Sequence, residues 1–395
     1  MDLETISVAI FLGIVALIIF LDRKNIEFKY GLITRRTKKG RKLIYDFSDK
    51  HRKKLRIIGN IAIVVCIIAS LIGIATIFRS TYFLIFRPEE AVSEVKLVFP
   101  SVSGIKLPGF VLGVPFWYWI IGVFVVLFSH EPMHAFMARA EKVTIKSFGL
   151  LLFIILPGAF VDPDEKQIKK LSMVKKLRIY AGGSFGNLIA AGFFLALLLG
   201  YNFIIESTML PDGIIFDKTI ANSGAEKAGL KGIITQINDV KVMSTSDFTK
   251  AIENIKPGDT VTIKTDEGIF EVKTTKNPDD STKPFIGIEK PRTFFIYKGF
   301  LSGLGTVSDN TLNVLSWIFG FLGWVFSLNI GIGVFNLFPI KPLDGGLMFE
   351  EIVKHFYKGK KAQYIVNFVS LFVLSLVLIN LFGPGIMSWL KGLLA

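Results

Sequence analysis

Residues 111–140 read VLGVPFWYWIIGVFVVLFSHEPMHAFMARA, and the way this stretch divides decides the fold. Residues 111–129 contain no charged side chain, and about 20 mostly apolar residues suffice for a helix to cross the hydrocarbon core of a bilayer. His130, Glu131 and His134 then follow at the end of the apolar run. An ionisable side chain at membrane depth is costly and marks function by default. The plain alternative is a helix end that has reached the interface, where such groups are harmless.

Working outward, further apolar runs of spanning length occupy 5–21, 57–78, 179–205, 311–338 and 364–386. The whole chain is 51% hydrophobic with 37 Phe, and only 20% of it is charged, against about 25% in an ordinary soluble protein. The net charge of +14 would suit nucleic acid if it were spread over a soluble surface. It is not: residues 22–56 hold 14 Lys/Arg against four acids, whereas 80–110 holds three of each sign. Basic residues flanking spans mark the cytoplasmic side, so membrane lipids, not nucleic acid, are the expected partner. Contact with anionic lipid is a plausible role for the 22–56 loop.

Six crossings satisfy this rule. The N-terminus, MDLETIS, lacks the basic start of a cleavable signal and begins outside. The loops 22–56, 139–178 and 339–363 fall inside, and a hydrophilic stretch at 208–292 falls outside. Residues 147–161, SFGLLLFIILPGAFV, are apolar but too short for an ordinary span and are broken by Pro157-Gly158. They read as a re-entrant hairpin beside a polar cavity, since irregular backbone at that depth needs protein or water to satisfy it; a short extra helix is the alternative. Residues 208–292 read as short strands, turns and one helix, TSDFTKAIENI, with turns at Pro257-Gly258-Asp259 and Asp266-Glu267-Gly268. The single cysteine, Cys66, lies in a predicted span and excludes an internal disulfide or a cysteine-built metal site.

Only four histidines occur, His51, His130, His134 and His355. His130 and His134 stand four apart, on one face of a helix, so both imidazoles can reach one ion. Glu131 beside them can act on a water bound to that ion. Hydrolytic zinc generally takes three protein ligands and an open position. A third ligand at the same depth is available at the end of the fifth run, in Asn336-Leu-Phe-Pro339-Ile-Lys-Pro-Leu343-Asp344-Gly345-Gly346. Asp344 can converge with the two histidines, although Asp-Gly-Gly by itself reads as a turn. His51 and His355 lie in basic segments and read as solvated. Asp162, Asp164 and Glu165 read as the polar edge of the hairpin.

HEPMH at 130–134, the NxxPxxxLDG pattern of Asn336, Pro339, Leu343, Asp344 and Gly345, and the GxxxN spacing of Gly183 and Asn187 together resemble the site-2 protease family of intramembrane zinc metalloproteases. AGLKGIITQINDVKV at 228–242 is similar to a PDZ domain. The resemblance covers about 111–385 and leaves out the first two spans. Pro132 departs from the family pattern and puts the tilt of the ligand helix in doubt.

The resemblance implies an α-helical multi-pass membrane protein of about six transmembrane helices plus a re-entrant segment, with an inserted small α/β PDZ-like domain. Residues 1–110 would hold two helices and their loops, 111–207 the first catalytic half, 208–292 the extracytoplasmic PDZ-like domain and 293–395 the second catalytic half. It implies zinc on His130, His134 and Asp344, with Glu131 catalytic. Asn336 and Asn187 would bind substrate, close packing being an equal alternative for Asn187. Ala228, Gly229 and Leu230 would line a groove for a C-terminal peptide. The substrates would be transmembrane proteins, and the active site would lie near the cytoplasmic side. Two other classes remain open from the residues: a metal-free PDZ-bearing scaffold, which leaves HExxH unexplained, and a transporter whose ion path His130, Glu131 and Asp344 line.

Overall fold

The computed structural model describes residues 3–394 apart from 30, 89, 91–94, 102–107, 154, 155 and 279, with main chain only for 3, 4 and 386–394. It divides into two compact units, one of Met1–Leu197 with Gly320–Ala395 and one of Leu198–Phe319.

The first unit starts with α1 (Leu3–Leu21), β1 (Ile26–Lys29), β2 (Leu32–Thr37), α2 (Arg41–Lys50) and α3 (Arg52–Phe86). There follow β3 (Leu97–Pro100), β4 (Val111–Val114), α4 (Phe116–Ala140), β5 (Ile145–Phe153), β6 (Leu156–Pro163), α5 (Glu165–Lys169) and α6 (Met173–Thr208). The inserted unit contributes β7 (Met209–Ile215), β8 (Lys218–Thr219), α7 (Gly224–Lys227), β9 (Ile234–Ile237), β10 (Val240–Lys241) and α8 (Thr245–Glu253). It continues with β11 (Thr260–Thr265), β12 (Gly268–Lys273), β13 (Thr275–Lys276), β14 (Pro284–Phe285), β15 (Ile288–Glu289) and β16 (Arg292–Tyr297). The chain ends in α9 (Asp309–Asn336), α10 (Asp344–Phe356) and α11 (Gly359–Leu394).

Five helices are long and apolar enough to cross a membrane among the described residues: α3, α4, α6, α9 and α11. The expected count of about six also took in the run at 5–21. That run forms α1, 19 residues long and about 28 Å at 1.5 Å per residue, close to the roughly 30 Å core; over its described side chains, Thr5–Leu21, it is a shorter apolar helix beside the five. The helices carry their apolar bulk outward: Ile57, Ile61, Val64, Ile68, Leu71 and Ile72 on α3 are all exposed. The run at 111–129 is also divided differently from expectation. Val111–Val114 pairs in parallel with Leu97–Pro100, and Pro115 is the N-cap of α4. Pro132 lies inside α4, which nevertheless continues unbroken to Ala140.

Of the run at 147–161, residues 147–153 and 156–161 fall in the paired strands β5 and β6 rather than in a short helix, and 154 and 155 lie outside the described residues. The basic 22–56 segment is not a plain loop either. Its strands β1 and β2 extend the hairpin into a four-stranded sheet ordered β1-β2-β5-β6. Arg36, Gly149 and Phe160 face one another across three strands. A side chain on Gly149 would fall on the Phe160 ring, so glycine leaves that ring room to lie beneath the Arg36 guanidinium, 5.0 Å from its centroid. The Val161 N–H points away from β5, and alternation along a strand puts Pro157, Ala159 and Pro163 on that same outer edge.

The inserted unit is a sheet ordered β12-β11-β9-β7-β16, with β10 paired to β9. Its core is built on aliphatic side chains, with Ile214, Ile234, Ile237, Val261, Ile263 and Val272 at 0–1% exposure. Alternation produces this core: β11, TVTIKT, shows the burial pattern of one face in and one face out. Ser244 and Asp247 form a capping box that starts α8.

Candidate metal centre

His130 and His134 lie one turn apart on α4, and their Nε2 atoms are 3.2 Å apart. Asp344, the first residue of α10, brings Oδ2 to 3.4 Å from His130 Nε2 and 3.3 Å from His134 Nε2. Among the described residues these three are the one group of His, Cys, Asp or Glu whose donor atoms converge in this way. Three donors each about 2.0 Å from a tetrahedral ion stand about 3.3 Å apart. The observed triangle therefore fits such an ion, and two imidazoles with one carboxylate form a donor set suited to zinc.

The surroundings are built for this triangle. His134 Nδ1 lies 2.8 Å from the carbonyl oxygen of Ile179. A carbonyl only accepts, so Nδ1 carries the proton and Nε2 keeps its lone pair for a ligand. The Ser184 hydroxyl donates to Asp344 Oδ2 at 3.3 Å. A side chain on Gly183 would fall on His134 Nε2 and within 2.6 Å of His130 Nε2. The cradle for an ion thus exists because residue 183 has no Cβ. Gly186 plays a similar part at the carbonyl of Ser129, so GGSFGN at 182–187 brings the backbone of α6 close against α4. Asp344 is positioned by the same device. A side chain on Gly345 would strike the Leu337 carbonyl, and one on Gly346 would lie 2.5 Å from the main chain of Ile340. The Asp-Gly-Gly segment is therefore the start of a helix pressed against the chain that precedes it, not a free turn.

Glu131 Oε2 accepts a hydrogen bond from the Val161 N–H at 2.9 Å, which ties the residue next to His130 to β6. Asn187 is fully buried and lies against His130 and Ser129. Asn336 is the half-buried last residue of α9. Ala228, Gly229 and Leu230 form the C-terminal turn of α7. Gly229 takes a left-handed φ of 64°, and the Leu230 side chain is buried in the core of the inserted unit. His51 packs on Phe47 and His355 on Phe356. Asp162 accepts from Arg36 and Asp164 caps α5, which leaves neither near the histidine triangle as a ligand. Sequence reasoning did not single out Ser129, Ser184 or Asn329, although Asn329 stands seven residues, two helical turns, before Asn336 on the same face.

Comparison with known proteins agrees with this geometry. The profile of peptidase family M50 matches residues 118–377. The chain belongs to peptidase family M50. Its match to the M50 profile takes in His130, Glu131, His134 and Asp344 together with the inserted unit. An uncharacterized protein of Methanocaldococcus jannaschii, MJ0971, is 27% identical over 357 residues, 87% of this chain and 85% of its own length. A Campylobacter jejuni protein provisionally named a zinc metalloprotease, Cj1068, is 24% identical over 258 residues, 54% of this chain and 68% of its own length. M50 membership makes the chain a metallopeptidase by family, with five helices able to span a membrane.

Proposed function

We propose that this M50 protein is a zinc metalloendopeptidase of the site-2 protease kind, hydrolysing peptide bonds within or near transmembrane segments of other membrane proteins. The observation that carries the reading is the donor triangle of 3.2, 3.3 and 3.4 Å among His130, His134 and Asp344. Zinc held there would polarise the scissile carbonyl and make its bound water acidic enough to lose a proton near neutral pH.

The rest is the work of side chains. Glu131 takes the proton of the attacking water on its carboxylate and delivers it to the leaving amine nitrogen. A membrane helix hides its carbonyls in its own hydrogen bonds, so the substrate must be held extended for cleavage. Asn336 binds its backbone, and the outer edge of β6, next to Glu131, pairs with the unwound stretch by strand addition. The charge asymmetry of the loops orients the chain with 22–56 and the active site on the cytoplasmic side. The N-terminus and the inserted unit are then extracytoplasmic. The inserted unit is PDZ-like and takes a newly cut C-terminus near Ala228, Gly229 and Leu230.

The test is zinc content of the purified protein in detergent. About one zinc per chain is expected, lost or much weakened in Asp344→Ala. Glu131→Gln is expected to keep the zinc while cleavage of a transmembrane substrate falls about 10²–10⁴-fold. Zinc-free wild type after reconstitution, or undiminished cleavage by Glu131→Gln, would remove the reading.

A further inference from the structure

We infer that Ser129 and Asn329 are positioning residues for His130, acting through the carboxamide of Asn187; this rests on His130 being a metal ligand. The inference comes from counting protons in a buried cluster that joins α4, α6 and α9. Asn187 and Asn329 are both fully buried. Ser129 Oγ lies 3.0 Å from the Val126 carbonyl, 2.7 Å from the Asn187 carboxamide and 3.1 Å from the Asn329 carboxamide.

The orientation of Asn329 is settled first. Its amide nitrogen donates to the Val325 carbonyl at 2.8 Å, so its oxygen faces Ser129. The serine hydroxyl has one proton and two lone pairs, and two acceptors, Val126 and Asn329, already compete for that proton. With the Asn187 nitrogen toward His130 Nδ1 at 3.1 Å, its oxygen would face Ser129 as a third acceptor, at the shortest distance of all. Lone pairs would then oppose one another among the neutral side chains of Ser129, Asn187 and Asn329, which is costly when buried.

The two ends of a carboxamide are alike in size, and hydrogen bonding decides which faces where. With the Asn187 nitrogen toward Ser129, every group has a partner. His130 Nδ1–H donates to Asn187, Asn187 to Ser129, Ser129 to Asn329, and Asn329 to the Val325 carbonyl. The same orientation puts the His130 proton on Nδ1 and leaves the Nε2 lone pair facing Asp344 and His134 Nε2. Proton counting at Ser129 and ligand chemistry at His130 are separate requirements, and one orientation meets both. Asn187 therefore spends both ends of its amide on protein groups.

The experiment measures zinc affinity of the full-length protein in detergent, by competition with a chelator, together with thermal unfolding of the zinc-free form. Asn187→Asp is expected to hold zinc close to wild type, because a carboxylate accepts from both His130 Nδ1–H and the Ser129 hydroxyl. Asn187→Leu and Ser129→Ala are expected to weaken zinc about 10–100-fold, the usual cost of losing a group that orients a metal ligand. Asn329→Leu, one link further away, should weaken it less. Zinc-free unfolding temperatures that match wild type show that the loss is one of ligand orientation, whereas a matching fall in stability would mean a merely structural role. Wild-type zinc affinity in both Ser129→Ala and Asn187→Leu would overturn the inference, as would Asn187→Asp losing zinc as fully as Asn187→Leu. A wild type that takes no zinc would instead overturn the metal reading, and this inference with it.

Discussion

The two units of the chain bury the same kinds of polar residue for different purposes. In the unit with the candidate metal centre, Ser184, Asn187 and Asn329 are fully buried; Ser184 touches Asp344 and Asn187 touches His130 directly, and Asn329 reaches His130 through Ser129 and Asn187. In the inserted unit the buried polar residues are Ser223, Thr265 and Thr274, and all three serve the main chain. Ser223 caps α7, Thr265 ties the turn to Gly268, and Thr274 donates to the carbonyls of Lys256 and Asp259. The first unit also leaves many large apolar side chains of its long helices exposed, while the second gathers isoleucine and valine inside. Burial alone does not mark the site in the first unit: Asn380 is equally buried but is spent on Ile77, Thr81 and Leu376, so it is the link toward His130 or Asp344 that sets Ser184, Asn187 and Asn329 apart.

The comparison breaks most visibly at Gly183. Gly183→Ala is expected to abolish zinc binding, because the new methyl would occupy the space between the two imidazoles, while hydrogen exchange across residues 209–297 stays unchanged. The converse substitution is Ile263→Ala, at a fully buried position of β11. It should cost the inserted unit about 2–5 kcal/mol, seen as faster exchange over 209–297, and leave zinc content as in wild type. If either effect crossed into the other unit, the division of labour would be false.

Smaller effects sharpen the picture within the inserted unit. Ser244→Ala removes the capping box of α8 and should cost about 1 kcal/mol, measured in the same exchange experiment. The Asp247 carboxyl is held below its ordinary value, chiefly by the Ser244 hydroxyl and then by the Met243 N–H. A carboxyl depressed in the folded state adds stability that is complete above its unfolded pKa, near 3.9, and is lost as pH falls through the folded value. Protection in the inserted unit should therefore be flat between about pH 7 and 5 and fall below about pH 4. Asp247→Asn should remove part of that fall, the rest belonging to Asp217, depressed by Arg292, and Asp280, depressed by Thr282.

What could be read from the sequence was local. His130, Glu131 and His134 declare themselves because one helical turn brings both imidazoles together, and the strands and α8 of the inserted unit follow from alternation and capping. Asp344 could be placed at the right depth, but its helix could not be seen. Asp-Gly-Gly reads as a turn until Gly345 and Gly346 are found pressed against Leu337 and Ile340. The pairing of β2 with β5 was hidden for another reason: charge density in 22–56 suggests a solvated loop, and only the Arg36–Gly149–Phe160 alignment shows where Arg36 is placed. Ser129 and Asn329 left almost no trace, because a lone Ser or Asn in an apolar helix means nothing until its neighbours on other helices are known.

The outer edge of β6 carries one more consequence, for the behaviour of many copies in one membrane. Of the residues facing that edge, Pro157 and Pro163 have no N–H, and the Val161 N–H is engaged by Glu131, so Ala159 alone has one left to give. Two strands zip together only when donors on each meet acceptors on the other. A second copy offering the same edge would set carbonyl against carbonyl nearly throughout. The hairpin can thus stand open without fusing to its own kind, while the substrate chain proposed above would bring N–H groups to the carbonyls of that edge.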